Sequence, residues 1–102
     1  MTYWLYLDDI REPPALSAGD KYIVLRSSQE AISYVKQHGI PEYMSLDHDL
    51  GGDDTTMVFL RWLSDEYYDE QIPTYVVHSS NPVGKQNIIS IMSSWKKSKG
   101  II

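Results

Sequence analysis

Two carboxylates and an imidazole stand side by side in the middle of the sequence, at Asp47-His48-Asp49, directly after a short apolar run. Asp8-Asp9 follows an earlier apolar run, and His78-Ser79-Ser80-Asn81 follows a later one. Carboxylate oxygens are the ligands that Mg²⁺ takes from proteins, and an imidazole with a near-neutral pKa can accept or donate a proton. A serine beside the N-terminus of a helix adds donors for an anion. These three stretches therefore predict a site that combines metal binding, acid–base chemistry and anion binding.

Four short apolar runs predict the β-strands that position these residues. The runs are Tyr3–Leu7, Tyr22–Leu25, Tyr43–Leu46 and Thr74–Val77. The first run lacks clean alternation, which is typical of a strand that is covered on both faces. Pro13-Pro14 disfavours a helix after this strand, so we expect residues 8–20 to form an irregular loop.

Capping residues predict three helices. Ser27 and Glu30 fit a capping box at the start of the first helix, and Asn81 followed by Pro82 opens the last one.

The second helix is expected to begin at Asp53 or Asp54 and to run to about Tyr68. Its apolar residues recur at intervals of three and four, which predicts one buried face made by Met57, Leu60, Leu63 and Tyr67.

The order of these elements predicts a single α/β domain over residues 1–102, a three-layer fold with a parallel sheet of about four strands in flavodoxin-like order. Gly100-Ile101-Ile102 leaves room for no more than a short fifth strand at the edge. In this order the first, third and fourth strands lie side by side, and the carboxyl ends of parallel strands share one edge. We therefore expect Asp8, Asp47 and His78 to open into one cleft.

The composition is that of one small globular domain, with 102 residues of which 42% are hydrophobic and 23% charged. The formal net charge of -5 argues against extensive coating of nucleic acid or of an anionic membrane. The absence of cysteine excludes disulfides and cysteine-based zinc sites. No apolar run reaches the ~18 residues that span a bilayer, and the N-terminus lacks the basic region of a signal peptide. We expect a cytoplasmic protein with no membrane partner.

Three motifs resemble those of the cyclic-phosphate-processing receiver-like domains, a family related to response-regulator receivers. They are Leu7-Asp8-Asp9-Ile10-Arg11, Ser45-Leu46-Asp47-His48-Asp49-Leu50-Gly51 and His78-Ser79-Ser80-Asn81-Pro82-Val83-Gly84, in the family's order. The resemblance implies a receiver-like fold and phosphoesterase-like processing of nucleotides or RNA ends that carry a cyclic phosphate. It also matches Asp8-Asp9 and Asp47 to the acidic pocket of receivers, and Ser79 to their Ser or Thr after the fourth strand.

Opening a cyclic phosphodiester with water requires a base for the water and an acid for the leaving oxygen. We assign these catalytic roles to His48 and His78, with Asp49 or Asp9 orienting one of the rings. The candidate ligands of a Mg²⁺ cofactor are Asp8, Asp9 and Asp47, and the cation would screen their charge from the phosphate. The candidate phosphate-binding residues are Arg11, Ser79, Ser80 and Asn81.

Two other functions fit the same residues. One is a non-catalytic module that binds and sequesters a phosphorylated nucleotide. The other is a degenerate receiver domain that is phosphorylated on Asp47. Receivers hold their phosphoryl group with a lysine after a fifth strand, and this sequence offers only Gly100-Ile101-Ile102 there. That departure, together with the two histidines, favours acid–base chemistry on a phosphate.

Overall fold

Four parallel strands form one sheet in the computed structural model, which describes residues 3–13 and 22–99. The strands are β1 (Trp4–Leu7), β2 (Tyr22–Leu25), β3 (Tyr43–Leu46) and β4 (Thr74–Val77), in the order β2-β1-β3-β4. Every pairing is parallel. The predicted strands and their flavodoxin-like order are confirmed, with β1 beginning one residue later than expected.

The strands end together, which places the residues that follow them at one edge of the sheet. Leu7 of β1 pairs with Leu46 of β3, and Leu46 pairs with the last residue of β4. Backbone hydrogen bonds continue one step further, because the N–H of Asp47 donates to Leu7 (2.9 Å) and that of His78 donates to Leu46 (2.9 Å). The first residue after each strand therefore starts from the same edge.

The helices are α1 (Ser28–His38), α2 (Thr56–Glu66) and α3 (Pro82–Ser98). The predicted caps of α1 and α3 are confirmed, since Ser27 accepts from the N–H of Glu30 (3.1 Å) and Asn81 accepts from that of Gly84 (3.0 Å). The Glu30 carboxylate accepts from the N–H of Arg26 (2.8 Å) instead of closing the expected capping box on Ser27.

The start of α2 differs from the prediction that Asp53 or Asp54 caps it. Thr55 occupies the N-cap position without a side-chain cap bond, and α2 ends at Glu66, two residues before Tyr68. The Asp54 carboxylate instead accepts from the backbone N–H (2.8 Å) and the hydroxyl (2.5 Å) of Ser28 in the first turn of α1. A carboxylate at a helix N-terminus is stabilised by the helix dipole, so the neighbouring helix competes successfully for Asp54.

All three helices pack on the same side of the sheet. The core combines alternate strand residues, such as Leu5, Leu7, Met44 and Leu46, with buried residues of α1, α2 and α3. Phe59 of α2, missed in the sequence, is fully buried there, whereas the predicted Met57 and Tyr67 pack at its margin. Of the three layers that were expected, the described residues supply the sheet and one layer of helices.

The other side of the sheet, which we call the aromatic face, carries the remaining strand side chains. Successive side chains of a strand point to opposite sides. Accordingly, the residues of this face lie outside the hydrophobic cluster that packs against the helices, although Tyr6 and Ser45 are buried. They include Trp4, Tyr6, Tyr22, Tyr43, Ser45 and Val76. The expectation that β1 is covered on both faces is confirmed from Leu5 to Leu7, since Tyr6 on the aromatic face is buried as well, although helices cover only one face within the described residues.

Residues 100–102, where a short fifth strand was expected, and residues 14–20 of the expected irregular loop lie outside the described residues. Among the helices that the structure describes, none is long and apolar enough to cross a membrane.

Candidate functional site

Three carboxylates gather where β1 and β3 end. Oxygens of Asp8, Asp9 and Asp47 all lie within 4.8 Å of one another. Asp8 and Asp47 are brought together because they extend the register in which Leu7 pairs with Leu46. A set of oxygen donors from carboxylates is what a hard divalent cation such as Mg²⁺ takes, so these side chains fit the cofactor that the sequence predicts. We call Asp8, Asp9 and Asp47 the acidic cluster.

Asp8 is fully buried, and both of its carboxylate oxygens are bonded. Oδ1 accepts from the backbone N–H groups of Ile10 (3.0 Å) and Arg11 (2.9 Å), and Oδ2 lies 2.9 Å from Nε2 of His78. Burial by itself would raise the pKa of the Asp8 carboxyl, but the hydrogen bonds from Arg11, Ile10 and His78 together hold that pKa below its ordinary value. Asp8 is therefore a carboxylate at neutral pH.

The lowered pKa of Asp8 makes part of the folding free energy depend on pH. A carboxyl whose pKa is lower in the folded chain stabilises the fold above its unfolded pKa, about 3.9, and loses that contribution as the pH falls through the folded value. We expect Asp8→Asn to lower the free energy of unfolding more at about pH 6 than at about pH 3. Urea denaturation at both pH values measures this difference, and Asp65→Asn, on the exposed surface of α2, is the matched control. If Asp8→Asn lowers the free energy of unfolding equally at both pH values, the prediction is wrong.

His78 follows β4, and its imidazole is held at both ring nitrogens. Nε2 faces Asp8, and Nδ1 lies 2.8 Å from the hydroxyl of Ser45 in β3. The ring also stacks on Tyr6, with centroids 4.7 Å apart and planes 11° from parallel. Because Asp8 is ionised and can only accept, Nε2 carries a proton in this arrangement. The ring therefore has a fixed position on the aromatic face.

His48 lies on the other side of the sheet edge, against α3. Its Nδ1 is 3.0 Å from Oδ1 of Asp49, and Oδ2 of Asp49 accepts from the side-chain amide of Asn81 (3.2 Å). The hydrogen bond from His48, followed by that from Asn81, lowers the pKa of the Asp49 carboxyl. Because this carboxylate accepts from Nδ1, the lone pair of the neutral ring is on Nε2, for which no described residue provides a hydrogen bond. Nε2 is thus the nitrogen that can exchange a proton with a ligand.

Gly84 in the first turn of α3 makes room for the His48 ring. A Cβ atom at Gly84 would lie 2.7 Å from both Cβ and Nδ1 of His48. Contacts this short cannot form without displacing the ring or the helix. The absence of a side chain at this position therefore decides where the imidazole sits.

The two imidazoles lie on opposite sides of the sheet. His48 contacts the helical layer at Gly84, whereas His78 contacts Tyr6 on the aromatic face. The acidic cluster lies at the sheet edge from which both histidines extend. A phosphate at this edge would have one imidazole on each side.

The predicted phosphate-binding residues occupy different positions. Arg11 donates from Nη1 to the backbone carbonyl of His78 (3.0 Å), and its side chain is 47% exposed, so the guanidinium has room for an anion. Ser79 accepts from the N–H of Asn81 (3.1 Å), and Asn81 is used as a cap and as a partner of Asp49. Ser80 is exposed and makes no hydrogen bond to any residue that the structure describes. Arg11 is thus the best placed of the four.

Three residues of the site were missed in the sequence. Ser45 holds His78, and Gly84 accommodates His48. Arg26 follows β2 and donates to the backbone carbonyls of Asp8 (3.2 Å) and Arg11 (2.6 Å), which fixes the turn after β1. Its position directly after a strand was the signal that could have revealed Arg26, because it begins at the same edge as the other site residues.

A family model described as a cyclic-phosphate processing receiver domain matches residues 3–94 of the chain. The match runs from the start of β1 into the last turns of α3, so it includes all three motifs that follow the strands. Searches among curated proteins and among solved structures found no match.

Proposed function

Since this chain belongs to the cyclic-phosphate processing receiver domains, we propose that it hydrolyses the cyclic phosphate of a nucleotide or of an RNA end. The observation that carries the proposal is the position of the acidic cluster at a sheet edge with a carboxylate-bonded imidazole on either side. A water oxygen attacks phosphorus while one ring P–O bond breaks, which leaves a phosphate monoester. One proton leaves the water, and one is added to the departing oxygen.

His48 accepts the proton of the attacking water in this proposal. Asp49 holds the proton on Nδ1, so that Nε2 presents its lone pair. The lowered pKa of Asp49 keeps it ionised at neutral pH, where it stabilises the imidazolium that forms.

His78, entering the step as an imidazolium, gives the departing oxygen the Nε2 proton that it otherwise directs at Asp8, and it is left as a neutral imidazole with its other proton on Nδ1 beside Ser45. The attacking and departing oxygens of a phosphoryl transfer lie roughly in line on opposite sides of phosphorus. A base on the helical side and an acid on the aromatic face suit this geometry. Arg11 is proposed to bind the phosphate oxygens through its planar guanidinium.

Asp8, Asp9 and Asp47 are the residues that would hold Mg²⁺. A bound cation supplies charge that offsets the repulsion between these carboxylates and the phosphate.

The test is the release of the monoester from adenosine 2′,3′-cyclic phosphate in the presence of Mg²⁺. We expect His48→Gln and His78→Gln each to lower kcat about 10²- to 10⁴-fold, the usual contribution of a positioned acid or base. His38→Gln is the matched control, because His38 is exposed on α1, stacked on Tyr34.

Two other results of these experiments would argue against hydrolysis and in favour of one of the two alternative functions. Tight binding of the cyclic nucleotide without any product indicates a sequestering module. A hydroxylamine-labile adduct on Asp47 after incubation with a small phosphodonor indicates a degenerate receiver.

A further inference from the structure

Aromatic rings form a row across the aromatic face, at the end of the sheet opposite the acidic cluster. The ring of Trp4 in β1 lies 5.8 Å from that of Tyr22 in β2 and 5.1 Å from that of Tyr43 in β3. All three side chains are half-buried, and none belongs to the hydrophobic core. We call Trp4, Tyr22 and Tyr43 the aromatic row. The aromatic row therefore contributes little to the core, and part of each ring remains exposed to solvent.

Further rings connect the aromatic row with the candidate site. Tyr6 lies two residues after Trp4 in the same strand, and its ring is 5.4 Å from that of Tyr22. Tyr6 in turn stacks on His78, which bonds to Asp8. Val76 of β4, which pairs with Ser45 of β3, is 45% exposed. Ring contacts thus run from the aromatic row to the proposed acid through Tyr6, which is itself buried.

A cavity of about 220 Å³ opens at the aromatic row, lined by Trp4, Glu42, Tyr43 and Thr74. The indole N–H of Trp4 makes no hydrogen bond to any residue within the described ranges 3–13 and 22–99. The rings of Trp4 and Tyr43 can stack on a flat heteroaromatic ligand in this cavity, and the indole N–H can donate a hydrogen bond to it.

We infer that the aromatic row binds the base of the nucleotide that precedes the cyclic phosphate, so that a short RNA end is a better substrate than a mononucleotide. The inference rests on the proposed function. Trp4 precedes Asp8 by four residues, or about 13 Å along an extended strand. A base and the phosphate of its own nucleotide are closer together than this, whereas the next base upstream can reach the row.

Stacking explains why the occupant is a nucleobase. Every base has a π-face, so aromatic side chains bind single-stranded nucleic acid with little dependence on sequence. The net charge of -5 opposes the binding of a long polyanion, which limits the occupant to a few nucleotides. Arg11 and Arg26 place their positive charge at the edge where the terminal phosphate would lie.

The test compares adenosine 2′,3′-cyclic phosphate with the dinucleotide ApA that ends in the same cyclic phosphate. We expect kcat/KM to be at least about tenfold higher for the dinucleotide, the size of effect that one base–aromatic stack gives. Trp4→Leu, and independently Tyr43→Leu, should bring the ratio of the two kcat/KM values close to one. Trp62→Leu is the matched control, because Trp62 is half-buried on α2 and packs against the core.

A second measurement does not depend on hydrolysis. The trinucleotide ApApA with a 3′-phosphate should quench the intrinsic fluorescence of the protein, and Trp4→Phe should remove most of the quenching.

Equal kcat/KM values for the two cyclic substrates, with no quenching, would overturn the inference while leaving the proposed hydrolysis intact. Quenching without hydrolysis of either cyclic substrate would support the aromatic row and reject the proposed function. If sedimentation analysis finds a dimer and Trp4→Leu dissociates that dimer, a second copy of the chain covers the aromatic row. This result would overturn the inference that the row binds a base.

Discussion

Gly84→Ala is expected to abolish most of the activity of this protein and to destabilise it, although alanine is the better helix former. The new methyl group would lie 2.7 Å from Nδ1 of His48, so the imidazole has to leave its position between α3 and Asp49. Overpacking of this kind costs about 1–3 kcal/mol, and a displacement of about 1 Å in a catalytic group lowers a rate about 10²-fold. Urea denaturation and kcat with adenosine 2′,3′-cyclic phosphate measure the two effects. Lys85→Ala, one residue further along the exposed surface of α3, is the control.

A double-mutant cycle separates the clash with His48 from any other effect of Gly84→Ala. His48→Gly removes the three side-chain atoms that would lie nearest to the new methyl group. In the His48→Gly background, Gly84→Ala should therefore cost less stability than it does in the wild-type chain, and the difference is the coupling free energy. If the loss of stability is the same in both backgrounds, the contact between Gly84 and His48 does not determine the position of the ring.

Mg²⁺ is expected to raise the thermal stability of the wild-type chain, and Asp47→Asn to remove most of that increase. A ligand that binds only the folded state at 100 times its Kd stabilises it by about 2.7 kcal/mol. For a domain of this size the shift in Tm is on the order of 10 °C. Asparagine keeps the oxygen that accepts from the N–H of His48 (2.8 Å) but removes one charge from the acidic cluster.

The measurement is the Tm of both proteins in EDTA and in increasing concentrations of Mg²⁺. Asp53→Asn is the matched control, because Asp53 is exposed in the turn that follows β3 but does not belong to the acidic cluster. A Tm of the wild-type chain that does not respond to Mg²⁺ would mean that the three carboxylates do not hold this cation. Equal responses of the wild-type chain and Asp47→Asn would exclude Asp47 as a ligand.

Features that depend on neighbouring residues in the sequence could be predicted from it. The strands follow from their apolar runs, and the caps at Ser27 and Asn81 follow from side chains that bond to N–H groups three residues ahead. The common edge of Asp8, Asp47 and His78 follows from strand order, because parallel strands end on the same side.

Features that depend on which way a side chain points could not be predicted in the same manner. Ser45 reads as an ordinary strand residue until the sheet places its hydroxyl beneath His78. The sequence favours Asp54 as the N-cap of α2. Only the packing of the helices shows that its carboxylate bonds to Ser28 of α1 instead. His48 and His78 follow neighbouring strands, but the alternation of side chains about the sheet puts them on different sides.

The bond between Asp54 and Ser28 has a mechanical consequence for the site. The turn after β3 carries Gly51, which lies beside Asp9, and the same turn is fastened to the first residue of α1 through Asp54. The edge of the sheet that carries the acidic cluster is thus connected to α1, a helix that contributes no residue to that cluster. A substitution that shifts α1 is therefore expected to displace the turn after β3 and, through Gly51, the carboxylate of Asp9.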